Sequence, residues 1–253
     1  MRPQELSQLL RQAGRASPWR SRRSGPGRED APPAHRRRAT GELNADTSAG
    51  PPAGLPSIPA GPPLLIVLSS PSATGKDSVR ELLLAWRLPA HFTVNVTTRP
   101  QRPGEVDGVD YHFVSDADFD RLEAQDGLIE RALVYGQRKG VLRAEIEGPL
   151  RAGRDVIARV DVQGAATLRS MLPDTLLIFI APPSLEEAQR RMQTRDTESP
   201  EEQRLRLEAA AAEMEASKSF DHIVVNETGH LEATARRIVE IIAEEKRKRG
   251  SSH

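Results

Sequence analysis

The 253-residue sequence predicts an α/β domain, a mainly parallel β-sheet core flanked by helices, preceded by a long solvated extension. Three observations carry this expectation. From Leu64 onward, short β-rich apolar runs alternate with helix-patterned segments. A Gly-Lys pair stands where the first such run passes into the first helical pattern, and residues 1–63 show almost no apolar periodicity.

The extension comes first. Residues 1–63 carry ten arginines and five acids among many Pro, Gly and Ala residues, a mixture unable to bury enough surface to offset its ordering entropy. It is expected to be a disordered Arg/Pro-rich tail. The opening MRPQELSQLLRQAGRAS faintly imitates an Arg-rich transit peptide, but the composition reads as a solvated segment. RRS and HRRR lack interleaved aromatics, so no nucleic-acid contact is expected. Four strand and helix pairs then follow: LLIVLSS with DSVRELLLAWRL, DVIARVDV with QGAATLRSML, DTLLIFIA with SLEEAQRRMQTR, and HIVVNET with HLEATARRIVEIIAEE. Between residues 99 and 145 the elements shorten (DYHFV, LIERALVY) around charged turns, which predicts an inserted subdomain. The longest apolar run is LLIVL, far short of the roughly 18 residues a spanning helix needs, so no membrane partner is expected. The absence of cysteine excludes disulfides, thiolate metal sites and cysteine nucleophiles, and is compatible with a reducing cytoplasm.

The first chemical motif is SSPSATGKDSVRELL, at the exit of the first strand. A phosphate-binding loop of the form G-x-x-x-x-G-K-S/T uses backbone N–H groups to wrap phosphate, a lysine for the β and γ phosphates, and a hydroxyl for magnesium. Gly75 and Lys76 match. Ser70 occupies the first glycine position, Ala73 a second place where glycine is common, and Asp77 the hydroxyl position, with Ser78 next. Ser70, Pro71, Ser72, Ala73, Thr74, Gly75, Lys76, Asp77 and Ser78 are therefore the candidate ATP-binding residues. Asp77 has two readings. It either faces magnesium or caps the helix, where a negative charge suits the N-terminal dipole and Ser78 is then the polar group nearer the metal.

The second cluster is VTTRPQRPGEVDGVDYHFV at 96–114, in which two guanidinium forks three residues apart, with a phenol nearby, suit a bound phosphate. On these residues the chain resembles guanylate kinase. The stretch is similar to the family's acceptor-binding TTRxxRxGExxGxDYxF pattern, and the resemblance continues over nearly all of 64–253. It implies a P-loop kinase fold with a GMP-binding subdomain at about 99–145 and a lid at about 191–206. It also implies transfer of the γ-phosphoryl group of Mg-ATP to GMP and dGMP. Carried over onto this sequence, it makes Arg99, Arg102, Glu105 and Tyr111 acceptor-site residues, with Asn95, Lys139, Val141 and Asp161 at the same GMP site and Val141 expected to face the base. Glu130, in IERALVYG, becomes the reader of guanine, and Asp161, in VDVQGA, a strand-end carboxylate. Lys76 with Arg191, Arg195 and Arg206 would carry the catalytic charge, and Asn226, in IVVNE, would lie on the adenine side. No general base is needed, because the acceptor is already a phosphate oxygen.

Some positions depart from the family. Asn95 stands where a serine is usual, Lys139 replaces a tyrosine, Val141 replaces a Ser/Thr that donates to guanine O6, and Arg159 replaces the first aspartate of a D-x-D pair. One lost hydrogen bond is worth about 0.5–1.5 kcal/mol, so a softened guanine preference is expected. Two other readings are open. A ribosyl bisphosphate phosphokinase resembles the GKDS of the loop, and a catalytically silent guanylate kinase-like module would keep the fold without the reaction.

Overall fold

The computed structural model describes residues 51–72, 74–134, 136–193 and 200–251, the side chains of 200–203 excepted. Strand β1 (Leu65–Ser69) leads into helix α1 (Lys76–Ala85) and strand β2 (Ala90–Phe92). Strands β3 (Val96–Thr97) and β4 (His112–Phe113), helix α2 (Asp116–Ala124) and strands β5 (Leu128–Val134) and β6 (Gln137–Leu142) follow in the insertion between β2 and the return to the main sheet. The chain returns through α3 (Arg143–Arg151), β7 (Asp155–Arg159), α4 (Val162–Met171), β8 (Leu176–Ala181), α5 (Leu185–Gln193), α6 (Pro200–Ala216), β9 (His222–Val225) and α7 (Leu231–Gly250).

The main sheet has the order β2-β7-β1-β8-β9, and every pairing in it is parallel. A smaller sheet of order β4-β3-β6-β5 carries the insertion, mostly antiparallel. Side-chain alternation along β1 explains why its run is apolar throughout. Leu64, Ile66 and Leu68 pack with Val79, Leu82 and Leu83 of α1 and Ile238, Val239 and Ile242 of α7. Leu65 and Val67 enter a second cluster with Val156 and Ala158 of β7, Ile146 of α3, and Ala165 and Leu168 of α4. The insertion keeps its own core of Val96, Val114, Phe119, Leu122 and Leu128. Among the described residues no helix is long and apolar enough to cross a membrane.

One correction concerns the extension. Residues 1–50 lie outside the described residues, but 51–63, which composition assigned to the disordered tail, lie on the domain. Leu55 and Ile58 pack against the cluster shared by β1, α1 and α7, and Arg236 donates to the Ala53 carbonyl at 3.3 Å. Composition missed this because two apolar side chains in a Pro-rich stretch carry no period. The anchor is Lys246 of α7, buried at 4% exposure, which donates to the Pro62 carbonyl at 2.9 Å and to Asp155 Oδ1 at 2.8 Å. The same Asp155 oxygen accepts from the Leu64 N–H at 2.8 Å.

Two outcomes follow. Replacing Lys246 by Met should leave the Asp155 carboxylate buried without its cation, and such broken pairs cost about 3–5 kcal/mol; urea unfolding of the purified variant measures it. A chain beginning at residue 61 should be less stable than one beginning at residue 51 by about 1–3 kcal/mol, the loss of two half-buried aliphatic side chains, with equal stability in the same measurement counting against the packing.

Candidate functional site

The parallel sheet brings the ends of β1, β7 and β9 together, and the candidate residues collect there. The loop after β1 runs from Ser70 to the N-cap of α1. Gly75 is that cap, with φ of 91° and no side-chain capping bond. A Cβ there would come within 2.7 Å of Asn226 Nδ2, so the position requires glycine both for conformation and for space. Inside the loop, Ser70 Oγ and Thr74 Oγ1 both donate to the Pro71 carbonyl, at 3.0 and 2.9 Å. Ala73 lies outside the described residues.

Asn226, which the resemblance placed on the adenine side, has its side chain engaged within the protein. Its side-chain amide donates to the Thr74 carbonyl at 2.7 Å while its oxygen accepts from Thr234 Oγ1 at 2.9 Å. Buried at 5% exposure, it braces the phosphate loop from the end of β9. Asn95 is spent in a similar way. Its Nδ2 donates to the Arg159 carbonyl at 2.6 Å and its Oδ1 accepts from Thr93 at 3.0 Å.

Lys76 donates to the Val160 carbonyl at 3.2 Å, and burial lowers its pKa, opposed by the neighbouring Asp77. On β6, Lys139 is lowered by burial and then by the charges of Lys76 and Arg99, so cations from the phosphate loop and from the inserted sheet share one field. Arg99 forms two bonds with Glu105, one of them at 2.7 Å, and both its neighbours Tyr111 and Phe113 present rings to its guanidinium, at 5.1 and 5.3 Å to the centroids. Glu105 also accepts from the Arg102 N–H at 2.8 Å. It therefore holds the arginine in place rather than standing apart as a ligand, while the Arg102 residue itself is exposed.

Glu130 is only 5% exposed, and burial, followed by the charge of Asp161, pushes its carboxyl up to about 7. It lies against the first turn of α4, where a Cβ on Gly164 would come within 2.8 Å of its Oε1. Asp161 is the N-cap of that helix and accepts from the Gly164 N–H at 2.8 Å. Val141 pairs across from Glu130, but it is fully buried in the cluster with Leu65, Ile129 and Ile146. This corrects the expectation that it faces the base, because a side chain closed off by its own core is out of a ligand's reach. The D-x-D substitution that made Arg159 conspicuous has a partner in the phosphate loop, since Arg159 Nη1 bonds Asp77 Oδ1 at 2.5 Å. Asp77 is thus in the first turn of α1 but is not its cap, and neither earlier reading included this ion pair.

Of the lid arginines, Arg191 donates to the Asn226 carbonyl at 3.0 Å, to Thr228 Oγ1 at 2.9 Å and, through Nε, to Glu187 at 2.8 Å. The Thr228 hydroxyl and Arg191 hold the Glu187 carboxyl down at about 2. Arg206 is partly buried on α6, and Arg195 lies outside the described residues. One participant was missed. Glu213, seven residues after Arg206 and so on the same face of α6, is pushed up to about 7 by burial, with Lys76 and Asp161 as its charged neighbours. That seven-residue spacing was its only signal.

For magnesium, the available donors at the mouth of the loop are the 67% exposed carboxylate of Asp77 and the hydroxyl of Ser78. Among the described residues no group of three His, Asp or Glu side chains forms a dedicated metal cage. Hard oxygens in that small number fit an ion held chiefly by phosphates and water.

The raised Glu130 pKa has a sign that can be tested. The folded protein keeps this proton between about pH 4.5 and 7 while the unfolded chain releases it, so stability from this group is lost as pH rises through 7. Glu130→Gln should therefore be more stable than the parent at pH 8 by about 1–3 kcal/mol, with the gap closing toward pH 5. Denaturant titrations at the two pH values check it, and a gap that does not depend on pH would contradict the assignment.

Comparisons with known proteins agree with this geometry. The sequence profile of the guanylate kinase family matches residues 63–245. The chain is 47% identical to a guanylate kinase of Thermobifida fusca over 169 residues, covering 67% of this chain and 86% of that protein. It is 40% identical to a guanylate kinase of Thermus thermophilus over 186 residues, 74% of this chain and 83% of that one. The crystal structure of guanylate kinase from Anaplasma phagocytophilum superposes with a TM-score of 0.61 at 34% identity, covering 75% of this chain and 89% of that one. With a parallel sheet, a Gly-Lys loop at the exit of its first strand and a matching profile over most of its length, the chain belongs to the guanylate kinase family.

Proposed function

We propose that this protein is an ATP-dependent phosphotransferase that converts ATP and GMP to ADP and GDP. The observation that carries the proposal is the convergence of Lys76, Lys139 and Arg99 in one electrostatic neighbourhood. The reaction joins two anions, so the main barrier the protein can lower is charge repulsion and misalignment. The bond from the γ phosphorus to the ADP oxygen breaks as a bond to a GMP phosphate oxygen forms, and no side chain has to remove a proton. Lys76 and the phosphate loop bind the donor, Arg99, Arg102, Tyr111 and Lys139 bind the acceptor phosphate, and Arg191, Arg195 and Arg206 add positive charge.

Glu130 selects the base. Once ionised, its carboxylate accepts from guanine N1–H and N2–H₂, a pairing that adenine does not offer. Magnesium, entering with ATP and held by Asp77 and Ser78, would neutralise phosphate charge. The domain from about residue 64 onward does this work, with the subdomain at about 99–145 and the lid at about 191–206. A cytoplasmic location is part of the same proposal, supported by the absence of cysteine. A ribosyl bisphosphate acceptor would leave the Glu130 pocket without a purpose, and a silent module would have no need of Lys76.

The test is a coupled ADP-release assay with Mg-ATP against GMP, dGMP, AMP, CMP, UMP and ribose bisphosphate. GMP should be the best acceptor, with its KM rising as pH falls below about 7 and Glu130 takes up its proton. Equal turnover of GMP and AMP, or turnover of ribose bisphosphate alone, would overturn the proposal.

A further inference from the structure

Two arginines are buried with part of their hydrogen-bonding capacity unmet. Arg159, at the end of β7, is 7% exposed, and Arg80, on α1, is 6% exposed. The Nε of each is buried without a hydrogen-bond partner in the described structure. Neither placement is explained by stability, because a desolvated guanidinium with an unsatisfied donor costs free energy.

Their remaining bonds share a direction. Arg159 Nη2 donates to the Asp110 carbonyl at 3.2 Å and Arg80 Nη2 to the Val109 carbonyl at 3.1 Å, so the core grips two successive residues of the acceptor loop. That segment is tied internally by Asp110 Oδ2, which accepts from the Val106 N–H at 2.7 Å. The Arg159 guanidinium also lies 5.5 Å from the Tyr111 ring centroid, the same ring that meets Arg99. Its other nitrogen holds Asp77 beside the phosphate loop.

We propose that Arg159, supported by Arg80, is a positioning residue that couples the acceptor site to the donor site. A planar fork can serve Asp77 and the Asp110 carbonyl together only while the 106–111 turn is docked. An acceptor nucleotide held by Arg99 and Tyr111 favours the docked turn, which locks Arg159 onto Asp77. Asp77 is a negative charge at the mouth of a site that must take a polyanion, and locking masks it. Acceptor binding therefore strengthens donor binding, and by linkage the donor strengthens the acceptor equally. The coupling rests on the proposed use of GMP as acceptor.

The experiment is calorimetric titration of metal-free ADP into the full chain, with and without saturating GMP. In the parent, GMP should tighten ADP by about fivefold or more, the lower end of measured couplings. Arg159→Lys keeps the charge but lacks the fork. It should bind ADP alone within about twofold of the parent, while the tightening by GMP falls below about twofold. Asp77→Ser should bind metal-free ADP alone as tightly or more tightly, and gain less from GMP. Should Arg159→Lys fail to fold, Arg80→Lys, which loosens the Val109 grip, is expected to lower the same ratio, and the parent ratio stands as its own test. If GMP titrated alone gives no binding, the acceptor assignment fails and the coupling with it. GMP that binds yet leaves ADP affinity unchanged in the parent, or an Arg159→Lys protein that keeps the full parent ratio, overturns the coupling alone.

Discussion

The site depends on one constraint, the burial of β1 on both faces and both edges. A strand that pairs in parallel with β7 on one side and β8 on the other, and that packs helices above and below, must send its carboxyl end out at the same edge as its neighbours. The phosphate loop, the Val160 carbonyl, Asp161 and Asn226 are brought together by that topology, although they come from segments far apart in the chain. Helix α1 then starts with its backbone N–H groups facing the loop, and the N-terminal dipole adds partial positive charge where phosphate must sit. Lys76 could not approach the Val160 carbonyl unless β1 and β7 were in register, as Leu65 with Val156 shows.

Polar residues around this edge divide their labour in a way that charge alone does not reveal. Some are aimed at the reaction space, and others keep the first group in position. Asn226, Asn95 and Glu105 belong largely to the second kind, since each has its polar atoms occupied by Thr74 and Thr234, by Arg159 and Thr93, or by Arg99 and Arg102. Their value lies in preorganisation. A loop whose backbone is braced before the ligand arrives pays less ordering entropy on binding.

The alternation of apolar runs and amphipathic segments made the parallel sheet legible, because strand period and helix period differ and the chain switches between them cleanly. The phosphate loop and the Arg99 to Phe113 stretch draw notice through residue types unusual for surface turns, whereas Glu130 is reached only through the family resemblance. What stayed hidden was mostly orientation. Val141 sits beside Glu130 in register, yet its fully buried side chain belongs to the core. Asp77 and Arg159, 82 positions apart, each looked like a defect in its own motif, and only their contact made them a pair. The packing of Leu55 and Ile58 was invisible for the opposite reason, as irregular chain has no period to detect.

Gly164 closes the picture, because it shows how a site can depend on something missing. Glycine in the first turn of a helix forfeits up to about 1 kcal/mol against alanine, a standing handicap that α4 accepts at this position. The vacancy left by the absent methyl is where the Glu130 carboxyl rests. In the proposed reaction, selectivity for the base therefore rests partly on a residue with no side chain to touch any ligand. A side chain there would force the Glu130 carboxyl or Val160 to shift, since an added Cβ would lie within 2.9 Å of both. A survey of relatives ranked only by contact with substrate would pass over this position, whereas one ranked by unfilled volume behind a buried acid would find it.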